Sequence, residues 1–364
     1  MRLGVEAAIV DDELLAGDVE VADGRIVAVG LAPKVGGGIA APGFVDLQVN
    51  GFGGVDFASA DGDGYRRAAE ALLDTGVTAY QPTLITAPED ELVAALHEVP
   101  TDAAAGPRIL GVHLEGPFLS AARMGAHPPT ARRDPNPELM QRLLAAGPVA
   151  YVTLAPELPG AHELIRLLLR RGVVVSCGHT DATASEAAAA FDLGVGTVTH
   201  LFNAMRPLGH REPGIAGAAL LRDDVVVQVI LDGHHLAPET AQLVWRAAAG
   251  RVALVTDAIA AAGTDERHSR LGGAAVEIRD GVARRPDGVL AGSVLTMIEA
   301  IRNLHALGAP LVDAVAAATS VPARAARRPE LGLLRPGGEA DLVVLDDRLD
   351  LRLVLRAGRE RLAA

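Results

Sequence analysis

Lysine is almost absent from this 364-residue chain. Of its 33 basic residues only Lys34 is a lysine. Schiff-base chemistry, metal pairs bridged by a carboxylated lysine and phosphate loops therefore lack their central group. Lys34 itself sits in a Gly-rich stretch ahead of the first strong motif. Cysteine is as scarce: one thiol excludes a disulfide framework or a Cys-rich zinc module, and it suits a reducing compartment. Basic residues are outnumbered, giving a formal net charge of −13. This argues against nucleic acid as the main partner and leaves no basic patch for an anionic membrane. The longest apolar runs, such as the one starting at Val225, fit buried strands and are too short to span a bilayer. The N-terminus carries Arg2, then Glu6, Asp11 and Asp12, with no apolar stretch of signal-peptide length. A cytoplasmic protein without a membrane segment is expected.

Apolar material, by contrast, is plentiful. Hydrophobic residues make up 49% of the chain, enough for a large core and too much for disorder. Short strands are expected at Gly4–Val10, Gly17–Val21 and Arg25–Leu31, with Ala22-Asp23-Gly24 as a hairpin turn. Asp341–Leu345 and Leu351–Leu355 read similarly. Between these ends, apolar strands alternate with Ala-rich helices. The strands are Gly43–Val49, Thr78–Gln81, Ile109–Leu114, Val149–Leu154, Val173–Cys177, Thr197–Thr199, Val225–Ile230 and Val252–Thr256. Helical spacing marks Tyr65–Leu73, Pro137–Ala146, His162–Arg170, Ala184–Phe191 and Pro238–Ala248. Alternation of this kind implies right-handed crossovers and a parallel sheet, and eight units suggest a closed (β/α)8 TIM-type barrel. The expected organisation is a barrel over residues 42–334 and a small β-sandwich formed by residues 1–41 and 335–364.

Chemistry in such a barrel sits at the C-terminal strand ends. Here those ends carry Gln48 and Asn50, His113 and Glu115, His179, His200 and Asn203, His235, and Asp257. One carboxylate and two imidazoles from separate strands supply three ligands to a divalent ion and leave a fourth position for water. A nearby carboxylate such as Asp257 can take the water's proton and pass it to a leaving group. Singly, each residue also has a structural reading: a core histidine, a turn before Gly116-Pro117, a helix cap at Asp257. The coincidence of Glu115, His179, His200 and Asp257 at four strand ends, in otherwise apolar surroundings, favours a site. His113 lies one layer deeper than Glu115 on the same face, where support or packing is expected. Cys177 reads as a small buried apolar residue. His97, His162, His268 and His305 fall on expected helices or loops and read as surface residues.

The motifs then match a known pattern. APGFVDLQVNGFGGVDF (Ala41–Phe57), GVHLEGPFLS (Gly111–Ser120), GAHPP (Gly125–Pro129), GHTDAT (Gly178–Thr183), THLFNAM (Thr199–Met205), REPGIAGAAL (Arg211–Leu220), LDGHHL (Leu231–Leu236), LVTDAI (Leu254–Ile259) and LAGSVLTM (Leu290–Met297) run in order along almost the whole chain. In them the sequence resembles the N-acetylglucosamine-6-phosphate deacetylase family of the metal-dependent amidohydrolase superfamily. The resemblance implies the barrel with its β-sandwich, and hydrolysis of a sugar-phosphate acetamide to amine and acetate. It implies Glu115, His179 and His200 as metal ligands and Asp257 as general base and acid. His127 would polarise the carbonyl. Asn203, Ala204 and Arg211 would hold the phosphate, Arg211 by a charge-assisted fork from across a homodimer interface. Ala126, His235, Leu290, Ala291 and Gly292 would complete the substrate's surroundings.

One departure matters. Many amidohydrolases place His-x-His where this chain has Gln48-Val49-Asn50, and neutral amides are poor transition-metal ligands. One divalent metal per subunit is therefore expected, zinc first, with iron(II), manganese or cobalt accepted by the same donors. A related amidohydrolase acting on N-acetylgalactosamine 6-phosphate or an N-acyl amino acid is the alternative enzyme. A non-catalytic scaffold should have lost these residues.

Overall fold

Parallel strands separated by helices build the body of the protein. The computed structural model describes residues 1–32, 36–100 and 106–362, so Lys34 lies outside the described residues. The barrel strands are β1 (Phe44–Val49), β2 (Val77–Ile85), β3 (Val112–Glu115), β4 (Val149–Leu154), β5 (Val174–Cys177), β6 (Thr197–Val198), β7 (Val226–Val229) and β8 (Val252–Leu254). Each pairs in parallel with the next, from β1 through β8. The gap between β8 and β1 is closed differently at its two ends. At the bottom, Val45 and Leu254 donate their amides to the carbonyls of Ala318 and Ala317 (2.8 and 2.7 Å). At the top, Asp257 N–H donates to Gln48 O (3.0 Å) and Asn50 N–H to Ala258 O (2.8 Å).

The helices follow local rules. Helix Pro137–Ala146 starts with Pro at its first position behind an Asn136 cap, and Thr183 with Glu186 forms a capping box for Ala184–Asp192. Leu164, Ile165 and Leu168 bury one stripe of Ala161–Arg170. β2 runs four residues beyond its expected end at Gln81, through Pro82 to Ile85. The strand expected over Ile109–Leu114 is split: Arg108–Ile109 and β3 flank Gly111, which has φ +91°.

Both chain ends meet in a second body. A six-stranded sheet runs Glu13–Ala16, Ala7–Val10, Ile39–Pro42, Leu342–Leu345, Leu351–Arg356, Arg359–Leu362. The hairpin Asp18–Ala22/Arg25–Leu31 contributes Val19, Val21 and Ile26 to a core shared with Ala8, Ala40, Leu342 and Val344. Its turn residues Asp23 and Gly24 both have positive φ, as a two-residue primed turn requires.

One expectation fails. The segment His268–Arg284 forms a three-stranded antiparallel sheet, so exposed His268 lies on a strand and not on a helix or loop. Its turns, Gly272-Gly273 and Asp280-Gly281, are hairpin signals that the helix-dominated texture nearby had masked. The barrel interior also holds a cluster of buried polar side chains. Tyr151 Oη donates to Thr197 Oγ1 (3.1 Å), and Thr199 Oγ1 lies 2.7 Å from Thr153 and 2.6 Å from Ser176. These buried groups satisfy one another, as a core must if it holds polar side chains.

Candidate metal centre and active site

Strand ends deliver the side chains. Glu115 is the last residue of β3, while His179 and His200 each lie two residues beyond β5 and β6. Asp257 follows β8 by three. His179, His200 and Asp257 have φ of +48°, +31° and +50°, a region that costs a non-glycine residue on the order of 1–3 kcal/mol. Three such residues in one small volume mark a site whose side-chain placement is fixed against local preference.

The donors converge. His200 Nε2 lies 2.8 Å and His179 Nε2 3.2 Å from Glu115 Oε1, and the two imidazole nitrogens are 3.1 Å apart. Ligands ~2.0–2.1 Å from a tetrahedral ion stand roughly 3.3 Å from one another, close to these edges. Protonation supports the same occupant. His179 Nδ1 donates to the Arg123 carbonyl (2.9 Å), which turns Nε2 toward Glu115 Oε1 and, in the neutral ring that binds metal, leaves its lone pair there. That nitrogen and the carboxylate oxygen then face one point between them, as two ligands of a single cation do. Glu115, His179 and His200 thus fit a divalent metal and are the buried group able to hold one among the described residues.

The amides of β1 have a definite place. Gln48 Nε2 donates to Glu115 Oε1 and to Asp257 Oδ1, each at 3.1 Å, and Asn50 Nδ2 donates to the same Asp257 oxygen at 2.7 Å. One –NH2 with two protons can serve two carboxylates. A histidine pair here would have offered lone pairs to a second ion; these residues offer protons. Gln48 Oε1 and Asn50 Oδ1 have no hydrogen-bond partner among the described residues.

Burial shapes the electrostatics. It pushes Asp257 up to about 6, with the charge of Glu115 adding to the effect. Burial would also raise Glu115, but its interactions with the imidazoles of His127, His179 and His200 outweigh burial and hold this carboxyl well below the usual range. Burial lowers His127 to about 4, helped by neighbouring His179, so the ring stays neutral near pH 7. The Thr86 amide can only donate, and it points at His127 Nδ1 (3.3 Å), with Thr86 Oγ1 at 2.9 Å. The ring proton therefore resides on Nε2, which faces Glu115 Oε2 at 3.5 Å. Gly116 permits this arrangement: a Cβ there would lie 2.2 Å from Thr86 Oγ1.

A cavity of about 210 Å³ lies above the metal group. Ala126, His127, Asn203, Ala204, His235, Leu290 and Gly292 line it with Asn50, Asp257 and the three donors. Ile85 and Leu271 add apolar wall that the strand-end argument did not find. Leu271 comes from the three-stranded insert, and Ile85 from the unexpected extension of β2. His235 Nδ1 is 2.7 Å from Asp232 Oδ2, which orients its ring. Ala291 is fully buried and is not among the lining residues. Arg211 is exposed, lies outside the cavity of its own chain and has no carboxylate partner among the described residues.

His113 sits below Glu115, with Nε2 2.7 Å from Thr153 Oγ1 and Nδ1 3.1 Å from Leu47 O. It supports the floor and makes no contact with the cavity. Cys177 is buried, and burial pushes its thiol up, so it stays protonated. Thr86 and the Arg123 carbonyl escaped sequence reasoning because each acts through a distant partner, with no spacing to reveal it.

The chain matches the Amidohydrolase family over residues 39–361. It is 40% identical over 343 residues to N-acetylglucosamine-6-phosphate deacetylase of Homo sapiens, covering 89% of this chain and 83% of the relative. It is 35% identical over 369 residues to N-acetylgalactosamine-6-phosphate deacetylase of Escherichia coli O157:H7, covering 98% and 97%. Among solved structures it resembles a mutant N-acetyl-D-glucosamine-6-phosphate deacetylase from Mycobacterium smegmatis in complex with N-acetyl-D-glucosamine-6-phosphate. That match has TM-score 0.93 and 40% identity, covering 98% of this chain and 97% of that one. The Thermotoga maritima N-acetylglucosamine-6-phosphate deacetylase superposes with TM-score 0.91 at 33% identity, covering 99% of each chain.

Proposed function

This chain belongs to the amidohydrolase family, and we propose that it hydrolyses the acetamide of N-acetylglucosamine 6-phosphate to glucosamine 6-phosphate and acetate. The observation that carries this reading is the Glu115–His179–His200 group joined to Asp257 through one Gln48 amide, inside a cavity of sugar-sized volume. A divalent ion held by that group supplies Lewis acidity, which lowers the pKa of water and polarises a carbonyl. Zinc is the proposed ion, one per chain.

The chain's own residues do the rest. Asp257, ionised above about pH 6, accepts the proton of the attacking water as its oxygen bonds to the acetyl carbon. His127 donates its Nε2 proton as a hydrogen bond to the carbonyl oxygen, where negative charge develops. Asp257 then returns the proton to the sugar nitrogen as the C–N bond breaks, releasing the amine and acetate. His235, Leu290, Ala126 and the Ala291–Gly292 segment position the sugar and acetyl group. Asn203 and Ala204 receive the phosphate. Arg211 completes that contact from the neighbouring subunit of a homodimer; its exposure outside its own cavity, with no carboxylate partner among the described residues, supports this. Cytoplasmic residence and a division into residues 1–41 with 335–364 against 42–334 belong to the same proposal. Pairing of Ile39, Ala40 and Ala41 with Leu345, Val344 and Val343 supports the division.

Acetate release from both epimeric N-acetylhexosamine 6-phosphates, with and without chelator, tests the reading. Chelator-sensitive release from the glucosamine derivative is expected. Preference for the galactosamine epimer would reassign the substrate, and no release from either would reject the function. Arg211→Ala should raise KM for phosphorylated substrate while sparing the unphosphorylated sugar; equal losses on both would remove Arg211 from the phosphate site.

A further inference from the structure

Asp181 is tied into four of the barrel's loops at once. It lies two residues beyond His179, in the loop after β5. Its amide donates to Glu157 Oε1 (2.7 Å) in the loop after β4. Its Oδ1 accepts from Arg123 Nε (2.9 Å) and Nη2 (2.7 Å) in the loop after β3. Its Oδ2 and carbonyl accept from Arg206 Nη2 and Nε (2.7 Å each) in the loop after β6. These side chains are only about one-third exposed, and forked, shared pairs of this kind hold geometry better than isolated surface pairs.

The two arginines lead to different parts of the site. The carbonyl of Arg123 is the acceptor that fixes His179 Nδ1 (2.9 Å) and so aims Nε2 at the metal position. The amide of Arg206 donates to Thr180 O (3.0 Å), while Thr180 N–H donates to Ala204 O (3.1 Å), which holds the Asn203–Ala204 turn at the cavity edge. We propose that Asp181 is a positioning residue that couples metal retention to substrate binding, acting on His179 through Arg123 and on the Asn203–Ala204 turn through Arg206. The inference rests on the metal and substrate reading above. Asp181 touches neither the metal position nor the cavity.

The test compares Asp181→Asn, Arg123→Gln and Arg206→Gln in the full-length protein. Zinc affinity is measured by chelator competition, the absorption spectrum of the cobalt(II)-loaded protein reports ligand geometry, and KM, kcat and Tm complete the set. Asp181→Asn should weaken zinc binding about tenfold, as loss of a group supporting a ligand does, and raise KM severalfold. Arg123→Gln should loosen zinc and shift the cobalt spectrum with little change in KM, and Arg206→Gln should do the reverse. If all three variants change Tm alone, or the two arginine variants fail to separate, the coupling is refuted. Should Asp181→Asn not fold, the arginine pair decides the matter. An inactive wild type would reject the functional reading, while zinc affinity and the cobalt spectrum of Arg123→Gln would still decide the action on His179.

Discussion

Replacing Asn50 by leucine should move the acid limb of the pH–rate profile. Asp257 Oδ1 accepts two hydrogen bonds from amides, from Asn50 at 2.7 Å and Gln48 at 3.1 Å. Leucine keeps the shape of asparagine and removes the shorter bond. A hydrogen bond to a charged group contributes roughly 1.5–3 kcal/mol, and one pKa unit corresponds to about 1.36 kcal/mol. The neutral carboxylic acid retains part of the interaction, so the expected shift is about one unit. Its sign follows from the state lost: the bond favours the carboxylate, so removing it raises a pKa already pushed to about 6 by burial and by Glu115. The base is then protonated over a wider range, and activity disappears at a higher pH as the pH falls. Below the shifted pKa, kcat/KM should drop up to about tenfold from ionisation alone, with little change from this cause well above it. The assay is kcat/KM for acetate release across pH 5–9, with metal content measured in parallel. An acid limb that stays in place at full metal occupancy, or moves down, would refute the role given to Asn50 and the identity of the base.

Other outcomes follow from the same geometry. Asp257→Asn should lower kcat by about 10²–10⁴ with the metal retained; near-normal turnover would sink its proton-transfer role. Chelation should abolish activity, and metal analysis should find one tightly held ion per chain; two would overturn the argument from Gln48 and Asn50. Asp46 is buried beneath the site, where burial raises it to about 7 despite hydrogen bonds from Thr256 and the Gln48 amide. A raised carboxyl favours the folded state while protonated. Its contribution is therefore complete below the ordinary value of 3.8 and lost as pH rises through about 7, at most about 4 kcal/mol. Denaturant unfolding of Asp46→Asn should show a flatter pH dependence between 4 and 7 than the wild type; an unchanged slope would contradict this.

The barrel was legible because its signals are local. Apolar strands such as Val149–Leu154 alternate with helices such as Pro137–Ala146, and both have the residue limits their patterns imply. The strand-end rule likewise located Glu115, His179, His200 and Asp257 without any knowledge of their separation. The insert at His268–Arg284 was missed although its two glycine turns were visible, since its strands are short, exposed and half polar. The polar cluster inside the barrel leaves no trace in the sequence, for another reason. Thr153, Ser176 and Thr199 look like ordinary strand residues until three strands bring their hydroxyls together.

Local patterning along the chain accounts for the alternation of strands and helices, the meeting of the two termini in one sheet, and which residue types stand at the strand ends. Periodicity encodes which face of a segment is buried, and that is a property of neighbours in the chain. Tertiary structure decided the rest: that Gln48 donates to two carboxylates, that Thr86 sets the tautomer of His127, and that Arg123 orients His179. It also decided that Ala317 and Ala318 complete the barrel where β8 and β1 fail to pair along their length. Each of these is a hydrogen bond between segments far apart in the chain, and its partner is chosen by register and approach, which no local pattern records. The shortage of lysine and the paired amides of β1 favour a single metal, and the protons of Gln48 and Asn50, directed at Glu115 and Asp257, give that preference its physical cause.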